Sequence, residues 1–306
     1  MLLIDNPSSA GHATPDGHPE RAERYAAIRA ALDPMDLTRE NAPLAKEADL
    51  RLCHPQHHID AVRQAVPVSG AVAFDADTFA SPGSWDAALR GVGGVMRAVD
   101  AVVAGDAETA FVLTRPPGHH CETARPMGFC LFGSAAIGAR HALDRHGLGR
   151  VAVVDFDVHH GNGTQDLLWS EPRALFVSSH QMPLYPGTGA PDERGGSDNV
   201  LNCPLAPGSG GAEMRHLYET TIFPRLRAFE PDLLIVSAGF DAHVADPLAN
   251  LAWTTDDFAW ISHAIVELAR EICGGRVVST LEGGYDLTAL AASVAAHVRA
   301  LNGGEP

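Results

Sequence analysis

Six short runs dense in Val, Ile and Leu recur along the chain, each giving way to a polar or glycine-rich turn. They are "LLID" at 2–5, "TAFVLTRPPGHH" at 109–120, "RVAVVDFDVHH" at 150–160, "ALFVSSHQ" at 174–181, "DLLIVSAGFDAH" at 232–243 and "RVVSTLEGGYD" at 276–286. Apolar runs without alternation predict strands buried on both faces, as in parallel sheets. Between them, helical periodicity covers 84–105, 134–147, 212–229 and 255–275, the last opening on a Thr/Asp cap signal and stopping at paired glycines. Strand alternating with helix predicts a doubly wound α/β sheet. No repeat, low-complexity tract or linker interrupts it, so residues 1–306 read as one domain. The stretch 186–200, dense in Gly, Pro and Asp, reads as a long loop: a functional rim or a solvated excursion.

Composition narrows the partners more than the fold. With 306 residues and 45% hydrophobic positions, the chain can bury a large core. A net charge of −16 argues against nucleic-acid backbone and weakly favours a cationic or neutral substrate. No apolar run reaches membrane length, and the first residues lack the basic and apolar regions of a secretory signal. Five scattered cysteines without CxxC spacing read as buried or free thiols in a reducing cytoplasm.

The chemistry collects at the strand ends, where open α/β sheets bind ligands. There stand His119 and His120, then Asp155, Asp157, His159 and His160, then Ser178 to His180, Asp241 with His243, and Glu282 to Tyr285. Alternation along a strand would put Asp155, Asp157 and His159 on one side. Asp157 and His159 then reach one cation, with Asp241 as third ligand. Two carboxylates and one imidazole leave a position open for water and substrate, the catalytic arrangement. The other reading, a charge network without metal, leaves costly desolvated carboxylates. These donors suit Zn(II), Fe(II) or Mn(II) alike. The paired histidines of "RPPGHH" suit acid–base work, and Asp155 is placed to orient a neighbouring imidazole. In "EGGY", Gly283 and Gly284 let backbone approach a substrate, and the Tyr285 phenol can stabilise an oxyanion. Such parts run metal-assisted hydrolysis of an acyl bond. No GxSxG elbow, Walker A loop or strand-turn-helix GxGxxG supports another chemistry.

Together "GHPERAERYAAI", "RPPGHH", "MGFCLF", "DFDVHHGNGTQ", "PGTG", "AGFDAHVADPL" and "EGGY" resemble the arginase/deacetylase superfamily, most closely the bacterial class II histone-deacetylase-like amidohydrolases. The resemblance runs in order over essentially the whole chain. It implies an open, mostly parallel eight-stranded sheet with helices on both faces. It also implies zinc (Fe(II) as the other metal to consider) on Asp157, His159 and Asp241, with His120 as general base and acid. His119 becomes the electrostatic partner oriented by Asp155, and Tyr285 the transition-state tyrosine. Gly128, Phe129 and Tyr185 become walls of an acyl-lysine tunnel, and Arg24 lines a cavity behind the metal. A structural potassium ion is implied near Asp155, Asp157, His159, Ser178 and Ser179.

Departures within the motifs sharpen this. Asn162 stands where class I enzymes carry a second orienting aspartate, and an amide raises the pKa of His120 less than a carboxylate would. Gly161 and His243 replace the aspartates that hold a second manganese in arginases. Leu248 stands where polyamine-selective class II relatives carry a glutamate, which leans the substrate towards acyl-lysine. The expectation is a cytoplasmic deacetylase of acetyl-lysine or a similar short-acyl amine, without nucleic-acid or membrane partners, the question of a homo-oligomer left open. The alternatives are an acetylpolyamine deacetylase and a non-catalytic acyl-lysine binder.

Overall fold

A computed structural model describes residues 1–304. Its strands are β1 (Leu2–Asp5), β2 (Thr38–Asn41), the short β3 (Val72–Ala73) and β4 (Phe79–Ala80), β5 (Thr109–Leu113), β6 (Val151–Asp155), β7 (Ala174–Gln181), β8 (Val200–Leu205), β9 (Leu233–Ala238) and β10 (Val277–Leu281). β3 and β4 make a separate antiparallel ribbon. The other eight form one sheet in the order β2-β1-β5-β10-β9-β6-β7-β8, and every pairing in it is parallel.

The six apolar runs supply the strands β1, β5, β6, β7, β9 and β10, and packing explains their unbroken character. Phe111, Ala152, Val154, Leu234 and Val236 point to one face, against Ile28, Ile261, Ile265, Val294 and Val298. Their neighbours Ala110, Val112, Val151, Val153, Leu233 and Ile235 point to the other, against Val95, Val99, Val102 and Ala139. With helices on both faces, no position of these six strands is exposed. Each fully buried Val, Leu, Ile or Phe among them contributes roughly 1.5–3 kcal/mol.

Three sequence expectations change in detail. The two edge strands, β2 ("TREN", largely exposed) and β8 ("VLNCPL", with Pro204), carry too little apolar pattern to announce themselves. The helix expected over 212–229 is two helices, Gly211–Leu217 and Phe223–Phe229, joined by a π-helical turn at Tyr218–Ile222. Pro224 has no N–H for the preceding turn, and the ladder adjusts just before it. The third concerns β6, which stops at Asp155 rather than running to His160. Among the described residues no helix is long and apolar enough to cross a membrane, and all five cysteines are free.

Candidate active site

The strand ends at the middle of the sheet, β5, β10, β9 and β6, are contiguous, so the loops leaving them converge. After Asp155 the backbone turns back on its own carboxylates. The N–H of Asp157 donates to Asp155 Oδ1 (3.1 Å), and the N–H of His159 donates to Asp157 Oδ1 (2.9 Å). This turn, not continued strand alternation, aims the side chains. His159 Nδ1 lies 3.0 Å from Asp157 Oδ1 and 3.1 Å from Asp241 Oδ2. Donor atoms of Asp157, His159 and Asp241 all lie within 4.8 Å of one another, and all three residues are buried.

The back of this cluster is pinned by backbone. The N–H of Val158 donates to Asp241 Oδ1 (2.9 Å) and that of Gly283 to Asp157 Oδ2 (2.8 Å). A side chain at position 283 would collide with both carboxylates, so only glycine lets the "EGGY" turn approach this closely. Two buried carboxylates beside one imidazole demand positive charge. Without a cation, a proton must supply it: burial opposes charge on His159, yet its bonds to Asp157 and Asp241 raise its pKa to about 10. The donor set therefore fits a divalent cation, which would take that proton's place.

His119 and His120 lie side by side, ring centroids 3.9 Å apart, in opposite environments. His119 Nδ1 meets Asp155 Oδ2 at 3.0 Å and its Nε2 is 3.7 Å from Asp157. Burial works against its charge, but Asp157 and Asp155 outweigh it and hold the imidazole well above the ordinary range. His120 is pushed well below that range by burial, then by His119 and His159. Its Nδ1 donates to Asn162 Oδ1 at 2.7 Å, while the Asn162 amide donates to Glu122 (2.8 Å), which fixes which way the amide points. The proton of His120 therefore sits on Nδ1, and Nε2 is left as an acceptor.

Above the cluster opens a cavity of about 520 Å³. His120, His159 and Tyr285 are at its floor end, with Gly128, Phe129, Leu184, Tyr185 and Leu248 around it and Asp16, His18 and Asp77 also in its lining. Phe129 packs edge-on to Tyr285 at 5.8 Å and Tyr185 edge-on to His120 at 5.2 Å. Gly128 has φ +56, and a Cβ there would run into the His120 ring, so the wall rests directly on that imidazole. Phe129 follows at φ 70, unusual for a side-chain-bearing residue, and its N–H is held by Thr78 Oγ1 (3.1 Å). Gly284 is not in the cavity lining. Its carbonyl accepts from Arg24 Nε at 2.6 Å, and the same guanidinium reaches the Glu282 carbonyl (2.6 Å). His243 is also apart from the three ligands, stacked on Phe258.

Several residues shape the site through partners far along the chain. Glu20 joins Arg115 (Nη2–Oε2 2.7 Å) and Arg24 (2.9 Å) in a fully buried cluster behind Tyr285. Arg24 stands where the resemblance implies, behind the metal site, but its partnership through Glu20 with Arg115, 95 residues away, and its bond to Gly284, 260 residues away, are beyond sequence reading. Asp246 accepts from the N–H of Tyr285 (2.7 Å) and of Leu248 (3.0 Å), tying the phenol's turn to the cavity wall. Glu193 accepts from the N–H groups of Gly189 and Ala190 (both 3.1 Å) and from Gln165 (2.7 Å), fastening the 186–200 loop beside Tyr185.

A histone deacetylase domain model matches residues 18–301. The chain belongs to the histone deacetylase family. It is 41% identical to histone deacetylase 14, chloroplastic, of Arabidopsis thaliana, covering 99% of this chain and 77% of that protein. The histone deacetylase-like amidohydrolase of Pseudomonas aeruginosa is 38% identical, covering 92% of this chain and 74% of that protein. The crystal structure of the HDA15 HD domain superposes with a TM-score of 0.93 at 32% identity, covering 100% of this chain and 90% of that one. Membership makes this histone deacetylase family protein a hydrolytic deacetylase. Its eight-stranded parallel sheet is the family's fold.

Proposed function

We propose that the protein is a zinc-dependent deacetylase that hydrolyses the amide of acetyl-lysine or a similar short-acyl amine. The observation that carries this is a pair of oppositely tuned imidazoles, His119 and His120, beside three convergent buried donors at the floor of an apolar-walled cavity. Asp157, His159 and Asp241 would hold the ion. Lewis acidity towards water and the substrate carbonyl is what a divalent cation supplies when bound there.

The protein's own groups do the rest. Phe129, Tyr185 and Leu248 take the aliphatic stem of the amine and exclude water. His120 Nε2 accepts a proton from the attacking water and passes it to the leaving amine as the C–N bond breaks. His119, held positive by Asp155 and Asp157, balances the charge that develops beside it. Burial, reinforced by Asp241, raises the Tyr285 phenol well above its ordinary pKa, so it keeps its proton and donates it in a hydrogen bond to the oxyanion. The implied potassium ion near Asp155, Ser178 and Ser179 belongs to this proposal.

One observation favours a second reading. Asp16 and Asp77 line the cavity, whereas no Lys or Arg does. A second ammonium, as in an acetylpolyamine, would be attracted there. Kinetics on acetyl-lysine peptide and N-acetylputrescine, with metal-stripped and zinc-restored protein, test both. Zinc-dependent turnover with the peptide preferred is expected. Full turnover without metal overturns the mechanism, and a strong preference for the diamine reverses the substrate.

A further inference from the structure

A second cluster of ligand-type residues stands at the other end of the molecule. Helix Ser84–Ala104 carries Asp100, and helix Ser134–Asp144 carries His141 in its last turn, with His146 just beyond. These helices end shortly before β5 and β6 begin, which puts the cluster at the amino-terminal ends of the strands, away from the catalytic residues at the carboxyl ends. Both imidazoles aim Nε2 at the same atom: His141 lies 2.6 Å and His146 2.7 Å from Asp100 Oδ1. The two rings meet edge to face at 5.0 Å. Ligand atoms of the three residues lie within 4.8 Å of one another.

We infer that Asp100, His141 and His146 form a second divalent-cation site for a borderline transition ion such as Zn2+, joining the two helices. The donor set is right: two imidazoles and one carboxylate, with the half-exposed side leaving room for water to complete the coordination. No charge has to be created for binding. A neutral imidazole only moves its proton from Nε2 to Nδ1 to turn a lone pair towards the ion. The backbone is already committed: the N–H groups of Arg145 and His146 both donate to the His141 carbonyl, folding the helix end so that His146 returns over His141. Nor are the three held by competing partners, since their hydrogen bonds through Nε2 are to one another.

The test is equilibrium dialysis of the full chain against Zn2+, with thermal unfolding in parallel. The wild type should take up two equivalents. Asp241→Ala should lose one of them, and His146→Ala or Asp100→Asn the other. Zinc beyond the first equivalent should raise the unfolding temperature of the wild type but not of the last two variants. Deacetylation by chain carrying one equivalent should be the same in wild type and His146→Ala. Uptake of a single equivalent by the wild type at millimolar zinc, lost in Asp241→Ala, overturns the inference while leaving the proposed function intact. Two equivalents retained in both His146→Ala and Asp100→Asn place the ion elsewhere and overturn it as well.

Discussion

Asp157, His159 and Asp241 can be set against His54, His58 and Cys121. Both trios are buried and both bring metal-ligand atoms within 4.8 Å, yet they differ in what their atoms are already doing. In the second trio, His54 Nδ1 faces the Thr123 carbonyl (3.1 Å) and its Nε2 accepts from the Gly133 N–H (2.9 Å). His58 Nε2 and Cys121 Sγ both give their protons to the Leu131 carbonyl, at 3.0 and 3.1 Å. Burial, then the neighbouring His58, takes the His54 pKa down to about 3, and burial pushes the Cys121 thiol well up. That trio is neutral, and three of its four ring nitrogens are spent on backbone. The first trio is rich in carboxylate and calls for a cation. Residue type alone does not distinguish them; net charge does.

The hardest test of this contrast removes charge from the first trio. Asp241→Ala should abolish uptake of the catalytic ion and cut kcat/KM by at least about a thousandfold, since it deletes a ligand outright. Cys121→Ala should leave metal content unchanged. Metal analysis beside kinetics reads both, and an Asp241→Ala protein that keeps its ion and its rate would break the comparison. Tyr285→Phe comes next. It removes one oxyanion donor while leaving all three ligands, so kcat should fall about 10²–10³-fold at unaltered metal content.

Much of this contrast was legible in the sequence. "DFDVHH" announced itself because charge rarely closes an apolar run, and the runs of β6, β9 and β10 placed Asp157, Asp241 and Tyr285 at one end of the sheet. What alternation got wrong was the means: β6 ends at Asp155, and the carboxylates themselves bend the chain that follows. The His54 trio carries no sequence signal, because its meaning lies in the Thr123, Gly133 and Leu131 carbonyl and amide groups. Glu20, Arg115 and Asp246 were hidden for a related reason: each works through a partner far along the chain. Edge strand β2 escaped because it is largely exposed and needs little apolar pattern, and β8 because Asn202 and Pro204 interrupt its run although most of it is buried.

The second trio should show itself in stability rather than rate. His54→Ala deletes two buried hydrogen bonds and should destabilise the fold by about 2–3 kcal/mol, leaving metal content and kcat nearly unchanged. Denaturant unfolding reads the loss. Acid tests the same point without mutation. His54 and His297 are held neutral by burial, with pKa values of about 3 in the folded protein against 6.5 for a free histidine. Between those values the unfolded chain binds more protons, so stability present above pH 6.5 is lost as pH falls towards 3. Each of these histidines should contribute a slope of about 1.4 kcal/mol per pH unit. Asp155, Asp246 and Glu282, whose buried carboxyls are raised to about 6 to 7, act in the opposite sense over this range, so the histidines are read directly: an NMR titration that finds either imidazole protonated at pH 5 in the folded protein overturns the point.

The smallest expected effect falls on the cavity wall, not on either trio. Glu193 holds Gly189, Ala190 and Gln165, and Gln165 Oε1 in turn meets His160 Nε2 (3.0 Å) and Asn202 Nδ2 (2.7 Å). Its carboxylate thus fastens the loop following Tyr185 to the turn following His159, without facing the cavity itself. Glu193→Ala frees the two loop N–H groups and should let Tyr185 drift from its edge-on contact with His120. Binding of the substrate stem should weaken while proton transfer at His120 is spared: KM up about three- to tenfold, or roughly 0.7–1.4 kcal/mol, with kcat within twofold. Glu193→Gln keeps an acceptor for those N–H groups and should recover most of the loss. A general loosening of the fold would instead lower kcat and unfolding temperature together in both variants, so the KM-against-kcat split decides whether Glu193 positions the wall or merely stabilises the loop.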